Sequence, residues 1–155
     1  MLKFNEKSII IQDALLNWPI GPEDVAAVMG KWSRISTNQR GYKCYTWDDH
    51  GITILQGEPT FYLYQVTRAL RFPLRAPEKP FRWPVFIDDI EIRNANDLRD
   101  RTDLLDCIGS EPADWDVLGE EDEVIVPLGH TMITIKADFD TGAIISISAY
   151  FDEEI

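Results

Sequence analysis

The chain has 155 residues, 45% of them hydrophobic and 27% charged. That balance suits one compact domain, and it excludes a disordered tail, a collagenous chain or a coiled coil. No apolar run approaches the roughly 20 residues that span a bilayer. Residues 1–13 offer only Ile9-Ile10-Ile11, where a secretory signal needs a longer apolar stretch and a small-residue cleavage site, so the expected compartment is cytoplasmic. The net charge of −12 argues against nucleic acid as a partner, because phosphate recognition needs a basic surface.

In chain order, Ser8 to Leu16 is β-branched and apolar, a strand or a short hairpin around Gln12-Asp13. Asn17 to Gly21 is a loop. Pro22 suits a first helical position, Glu23 and Asp24 its first turn, and Gly30 its stop. Tyr42–Trp47 and Ile52–Leu55 read as paired strands around the turn Asp48-Asp49-His50-Gly51. Phe61 to Phe72 alternates as a long strand. Residues 73–84 hold Pro73, Pro77, Pro80 and Pro84, which makes this stretch an extended connector.

The second half runs through a similar plan. Val85 to Ile92 is a strand or hairpin broken at Asp88-Asp89. Residues 97–108 read as a helix stopped by Gly109, and Glu111 to Glu123 as a long acidic loop. Strands follow at Val124–Leu128, Thr131–Phe139 and Ala143–Phe151, with a turn at Asp140-Thr141-Gly142. Asp13 matches Asp89 at an offset of 76, and Ile52-Thr53-Ile54 matches Ile133-Thr134-Ile135 at an offset of 81. This is either a duplication of units 1–72 and 85–155 or the chance match that any strand-and-helix pattern gives. The expected fold is α+β: an antiparallel sheet of about six to eight strands with two helices on one face. If the duplication is real, it consists of two tandem strand-helix-strand-strand-strand units forming a single compact domain.

Few residues suggest chemistry. Asp48, Asp49 and His50 are the right types for a cation or for acid–base work, yet Asp-Asp-His-Gly is also what a hairpin turn needs. His130 is the only other histidine, and it sits in a second turn signal. No GxSxG, phosphate loop or Cys/His cluster is present. Cys44 and Cys107 lie 63 positions apart and read as buried thiols. The expectation is a non-enzyme with no cofactor and no metal.

Charge says more. Residues 1–85 hold 11 Lys/Arg and 8 Asp/Glu, net +3, whereas residues 86–155 hold 4 and 19, net −15. The densest acid runs through Glu111, Asp114, Asp116, Glu120, Glu121, Asp122 and Glu123, around Trp115. A tryptophan among carboxylates suits an interface with a basic partner, or it folds back to pin its own loop. Those eight residues are the candidate partner-binding site, with the hairpin around Trp47 as the next choice.

The run from Trp18 to Gly30, followed by Tyr45-Thr-Trp-Asp-Asp-His-Gly-Ile52, resembles a group of small uncharacterised bacterial proteins. Their pattern is a helix ending in Leu-Gly, then YxWDxxGI and a second related half. Met29 stands here in place of the usual Leu. Several such groups are immunity proteins encoded beside secreted interbacterial toxins, and the helix-then-sheet repeat is also similar to tandem-repeat inhibitors of β-lactamase. The resemblance implies an immunity protein that occludes the active site of a cognate toxin. The charge adds that the toxin domain is basic, nuclease-like at first guess, with no membrane partner. The alternative is a small metal- or ligand-binding domain, or an enzyme, using the Asp48/Asp49/His50 turn.

Overall fold

A computed structural model describes residues 1–37, 40–56, 60–64, 79–93, 123–138 and 143–152. Their elements are β1 (Leu2–Phe4), β2 (Ser8–Ile11), β3 (Ala14–Asn17), helix α1 (Pro22–Met29), β4 (Arg34–Thr37), β5 (Lys43–Trp47), β6 (Ile52–Leu55), β7 (Thr60–Tyr64), β8 (Val85–Ile87), β9 (Ile90–Glu91), β10 (Glu123–Leu128), β11 (Thr131–Asp138) and β12 (Ala143–Phe151). Over the described residues, the expected α+β fold with two helices is therefore corrected to a mostly β fold with one short helix. The start and stop signals around residues 22–30 do produce α1, but it is only 8 residues long, about two turns. The sequence reading also missed β1 and β4, of 3 and 4 residues, which are too short to carry a periodic signal. The second helix, expected at 97–108, lies outside the described residues, as do the Asp140-Thr141-Gly142 turn and Cys107.

The strands divide between two sheets instead of joining in one. The first has the order β3-β2-β1-β8-β9 and the second β10-β11-β12-β7-β6-β5-β4. The second sheet is antiparallel throughout. In the first, β1 runs antiparallel to β2 but parallel to β8, so a three-residue strand bridges hairpins that lie far apart in sequence. Its backbone serves both: Gln12 N–H donates to the Met1 carbonyl, Asp88 N–H donates to the Phe4 carbonyl, and Leu2 N–H donates to Pro84, each at 2.9 Å.

The alternation seen in the sequence sets the faces. Along β11 and β12, Ile133, Ile135, Ile147 and Ala149 are fully buried, and a buried isoleucine side chain is worth about 2 kcal/mol. They join Ile52, Ile54 and Trp47 of the same sheet, and Leu2, Phe4, Ile9, Ile11, Val85 and Ile87 of the other, in one core. Val25 of α1 seals it. Asp24 accepts from Gly21 N–H at the helix start, and Gly30, at φ 85°, ends it. The Gly30 carbonyl then accepts Trp47 Nε1–H at 2.7 Å, which ties the helix stop to the second sheet.

Both the β5–β6 and the β10–β11 hairpin tips of the second sheet rest on segments distant in sequence. The β5–β6 turn rests on the connector between the halves: Lys79 N–H donates to the Asp48 carbonyl at 2.8 Å. The β10–β11 turn rests on the first half: Thr131 Oγ donates to the Asn5 and Glu6 carbonyls at 2.9 and 2.8 Å. Trp18 stacks on Phe151 with ring centroids 6.3 Å apart. Among the described residues, no helix is long and apolar enough to cross a membrane.

Candidate functional site

Of the eight acidic-segment candidates, Glu111, Asp114, Trp115, Asp116, Glu120, Glu121 and Asp122 lie outside the described residues. Glu123 is placed by its backbone. It opens β10, in register with Lys136 of β11. The acidic segment therefore enters the fold at one end of the three-strand strip β10–β11–β12.

The Asp48-Asp49-His50 turn is fully described. His50 and Gly51 N–H both donate to the Trp47 carbonyl at 3.1 Å, which closes the hairpin. Arg34 Nε donates to both Asp48 carboxylate oxygens at 3.2 and 3.3 Å, in a pair that is largely shielded from water. Lys79 Nζ lies 3.3 Å from Asp49 in an exposed pair, of the kind worth at most about 1 kcal/mol. Lys79, in the described part of the proline-rich connector, is thus seated on the acidic turn. The His50 ring lies against Trp83 at 5.6 Å, and Trp83 meets Phe81 edge-on at 5.4 Å. The turn's charges and rings are engaged in holding two segments together.

His130 is in an equivalent position. Its Nδ1 donates to the Asp152 carbonyl at 3.0 Å, its own carbonyl accepts Asp152 N–H, and its ring lies 5.6 Å from Phe151. Among the described residues, no group of three or more His, Cys, Asp and Glu side chains is arranged to hold a metal ion. Cys44 is buried. Trp47, the second choice as an interface, is 2% exposed, so the hairpin around it offers its aromatic to the core instead of to a partner. Trp32 packs edge-on against both Tyr45 and Trp47.

The sequence reading passed over the outward face of β11 and β12. Tyr150 is 41% exposed and stands directly opposite Met132 in the ladder. Thr134 stands opposite Ser148 one step along, and Lys136 opposite Ser146. The signal was present: in TMITIKAD and AIISISAYF, Met132 and Tyr150 occupy the polar phase of the alternation.

Residues 1–101 match a family described as a domain of unknown function, DUF7738. No curated protein and no solved structure matches the chain.

Proposed function

The chain belongs to the DUF7738 family, and from that premise we propose that it is a non-enzymatic binding protein: a cytoplasmic immunity protein that neutralises a cognate secreted bacterial toxin by covering its active site. The observation that carries this reading is the charge division, net +3 over residues 1–85 against net −15 over residues 86–155. A compact protein polarised in this way steers a basic partner and rejects acidic ones. The resemblance of the Trp18–Gly30 and Tyr45–Ile52 segments supports the immunity role. The engagement of Asp48 by Arg34 and of Asp49 by Lys79 supports binding over catalysis, since both carboxylates of the one readable acid–base cluster serve the hairpin.

The test is protection. The toxin domain encoded by the neighbouring gene is expressed with and without this chain, and survival is counted. Wild type protects. Asp49→Ala and His50→Ala protect equally well, while reversal of Glu120, Glu121 and Glu123 to Lys slows association and flattens its salt dependence. Trp115→Ala weakens binding by about 2 kcal/mol if that ring is a central anchor. Loss of protection by a folded His50→Ala protein overturns the reading in favour of chemistry at the turn.

A further inference from the structure

The two sheets have four edge strands, and three of them carry features that discourage pairing with another chain. β9 has only two residues, one of them Glu91. β10 begins at Glu123 and contains Pro127. β4 begins at Arg34. Charge, proline and extreme shortness are the usual protections of a sheet edge. β3, Ala14-Leu15-Leu16-Asn17, holds no charge and no proline.

The open side of β3 follows from its pairing. Trp18 N–H donates to the Lys7 carbonyl at 3.1 Å, and the ladder sets Ile9 against Leu16 and Ile11 against Ala14. Backbone groups alternate between the two sides of a strand. Ala14 and Leu16 therefore bond to β2, while Leu15 and Asn17 turn their N–H and C=O groups to the free edge. Leu15 is 58% exposed, and Asp13 and Asn17 to either side are exposed as well.

Leu15 also ends an apolar row. Leu15, Ile10, Lys3 and Phe86 stand side by side on the outward faces of β3, β2, β1 and β8, and Ile10 and Phe86 are half-buried. Lys3 Nζ pairs with Asp89 of the β8–β9 turn at 2.7 Å, which holds its charge on the side away from Leu15. In a single molecule the row stops at the free edge.

We infer that β3 is a dimerisation edge, on which a second copy of this chain adds its own β3 antiparallel, Leu15 facing Leu15 across a two-fold axis. In this register the Leu15 N–H and C=O bond to those of the second Leu15, as the ladder phase requires. Asn17 stands opposite Asp13 of the second copy at both ends, so no like charges meet on the strands, although the chain as a whole carries −12. The apolar row then runs unbroken from one Phe86 to the other. Two-fold pairing is also closed. It consumes both free β3 edges and leaves one ten-stranded sheet, whose outer edges are the two protected β9 strands. The contact is one short strand a side, which places it among weak, concentration-dependent interfaces. The inference concerns self-association and is independent of toxin binding.

The test is sedimentation equilibrium of the full-length chain from low micromolar to millimolar concentration, after each variant's far-UV spectrum and unfolding midpoint are checked. The wild type is expected to follow a monomer–dimer equilibrium. Leu15→Lys sets two like charges opposite each other at the axis and weakens dimerisation about tenfold or more. Asn17→Asp meets Asp13 twice by symmetry and weakens it several-fold, whereas Asn17→Lys strengthens it, and both effects shrink at high salt. Ile35→Lys, at a side chain 49% exposed on the β4 edge, adds the same charge as Leu15→Lys and leaves the constant unchanged. A wild-type chain that stays monomeric throughout overturns the inference. So does a dimer that survives Leu15→Lys in a folded protein, or one lost in Ile35→Lys instead. Equal responses to Asn17→Asp and Asn17→Lys overturn the register, and the proposal with it.

Discussion

At the scale of single residues, two glycines decide how the hairpin tips sit. Gly51 has φ +71°, and a Cβ there would lie 2.1 Å from the Phe81 nitrogen and 2.6 Å from the Pro80 carbonyl carbon. Both are backbone atoms, so the connector itself would have to move. Gly129 has φ +59°, and a Cβ there would meet the Glu6 side chain at 2.8 Å. The left-handed conformation alone costs an alanine about 1–2 kcal/mol. We therefore expect Gly129→Ala to cost about 2 kcal/mol and Gly51→Ala at least about 3 kcal/mol, measured as shifts in urea midpoints. Equal shifts would mean that residues 80–81 are free to yield. The sequence showed Gly51 as the glycine of a turn, and that much was legible from Asp-Asp-His-Gly. The backbone of a segment thirty residues later lying against it was not legible, because such an approach leaves no local pattern.

At the scale of elements, the hairpins are where sequence and structure agree best. The two-residue breaks read at Gln12-Asp13 and Asp88-Asp89 are both turns, closed by the pairs Ile11 with Ala14 and Ile87 with Ile90. Each places its first residue at positive φ, 56° at Gln12 and 52° at Asp88, where a two-residue turn of this shape prefers glycine. Gln12→Gly is accordingly expected to stabilise the protein by about 0.5–1 kcal/mol. A fall in thermal midpoint would show that the glutamine side chain contributes more than its backbone strain costs. Strands β11 and β12 were legible through a hydrophobic alternation set by one buried face, whereas β5 and β6, buried on both sides, were legible as apolar, β-branched runs around a turn signal. The sheet membership of β1 was not, since three residues with half-polar character have no period, and only pairing with both β2 and β8 makes them a strand. The fold class was misread because capping signals mark where a helix starts and stops and say nothing of how much else of the chain is strand. The outward face of β11 and β12 was passed over for a related reason: an alternating strand was read for its inward residues only, and Met132 and Tyr150 are among the outward ones.

At the scale of the whole molecule, each sheet takes strands from both halves of the chain, β1–β3 with β8–β9 and β4–β7 with β10–β12. Both feed one core. Neither half then has a buried face of its own to fold around. Unfolding by heat or urea is expected to be a single transition, coincident by far-UV circular dichroism and tryptophan fluorescence. Fragments 1–78 and 79–155 are each expected to be unfolded alone and to recover strand structure on mixing. A separately folded 1–78 fragment would show that the first half closes its core without β8 and β12.

The pairing of β1 with β8 also sets a clock on synthesis. Leu2 is synthesised 82 residues before Pro84, whose carbonyl its N–H needs, and the second sheet waits for β12, which ends at Phe151. At elongation rates of about 5–20 residues per second the nascent chain spends on the order of ten seconds with β1, β2 and the β4–β7 hairpins made but incomplete. Their unpaired strand edges are open during that interval to any other strand in the cell. A nascent chain of this protein is thus exposed to mispairing until its last strand is available.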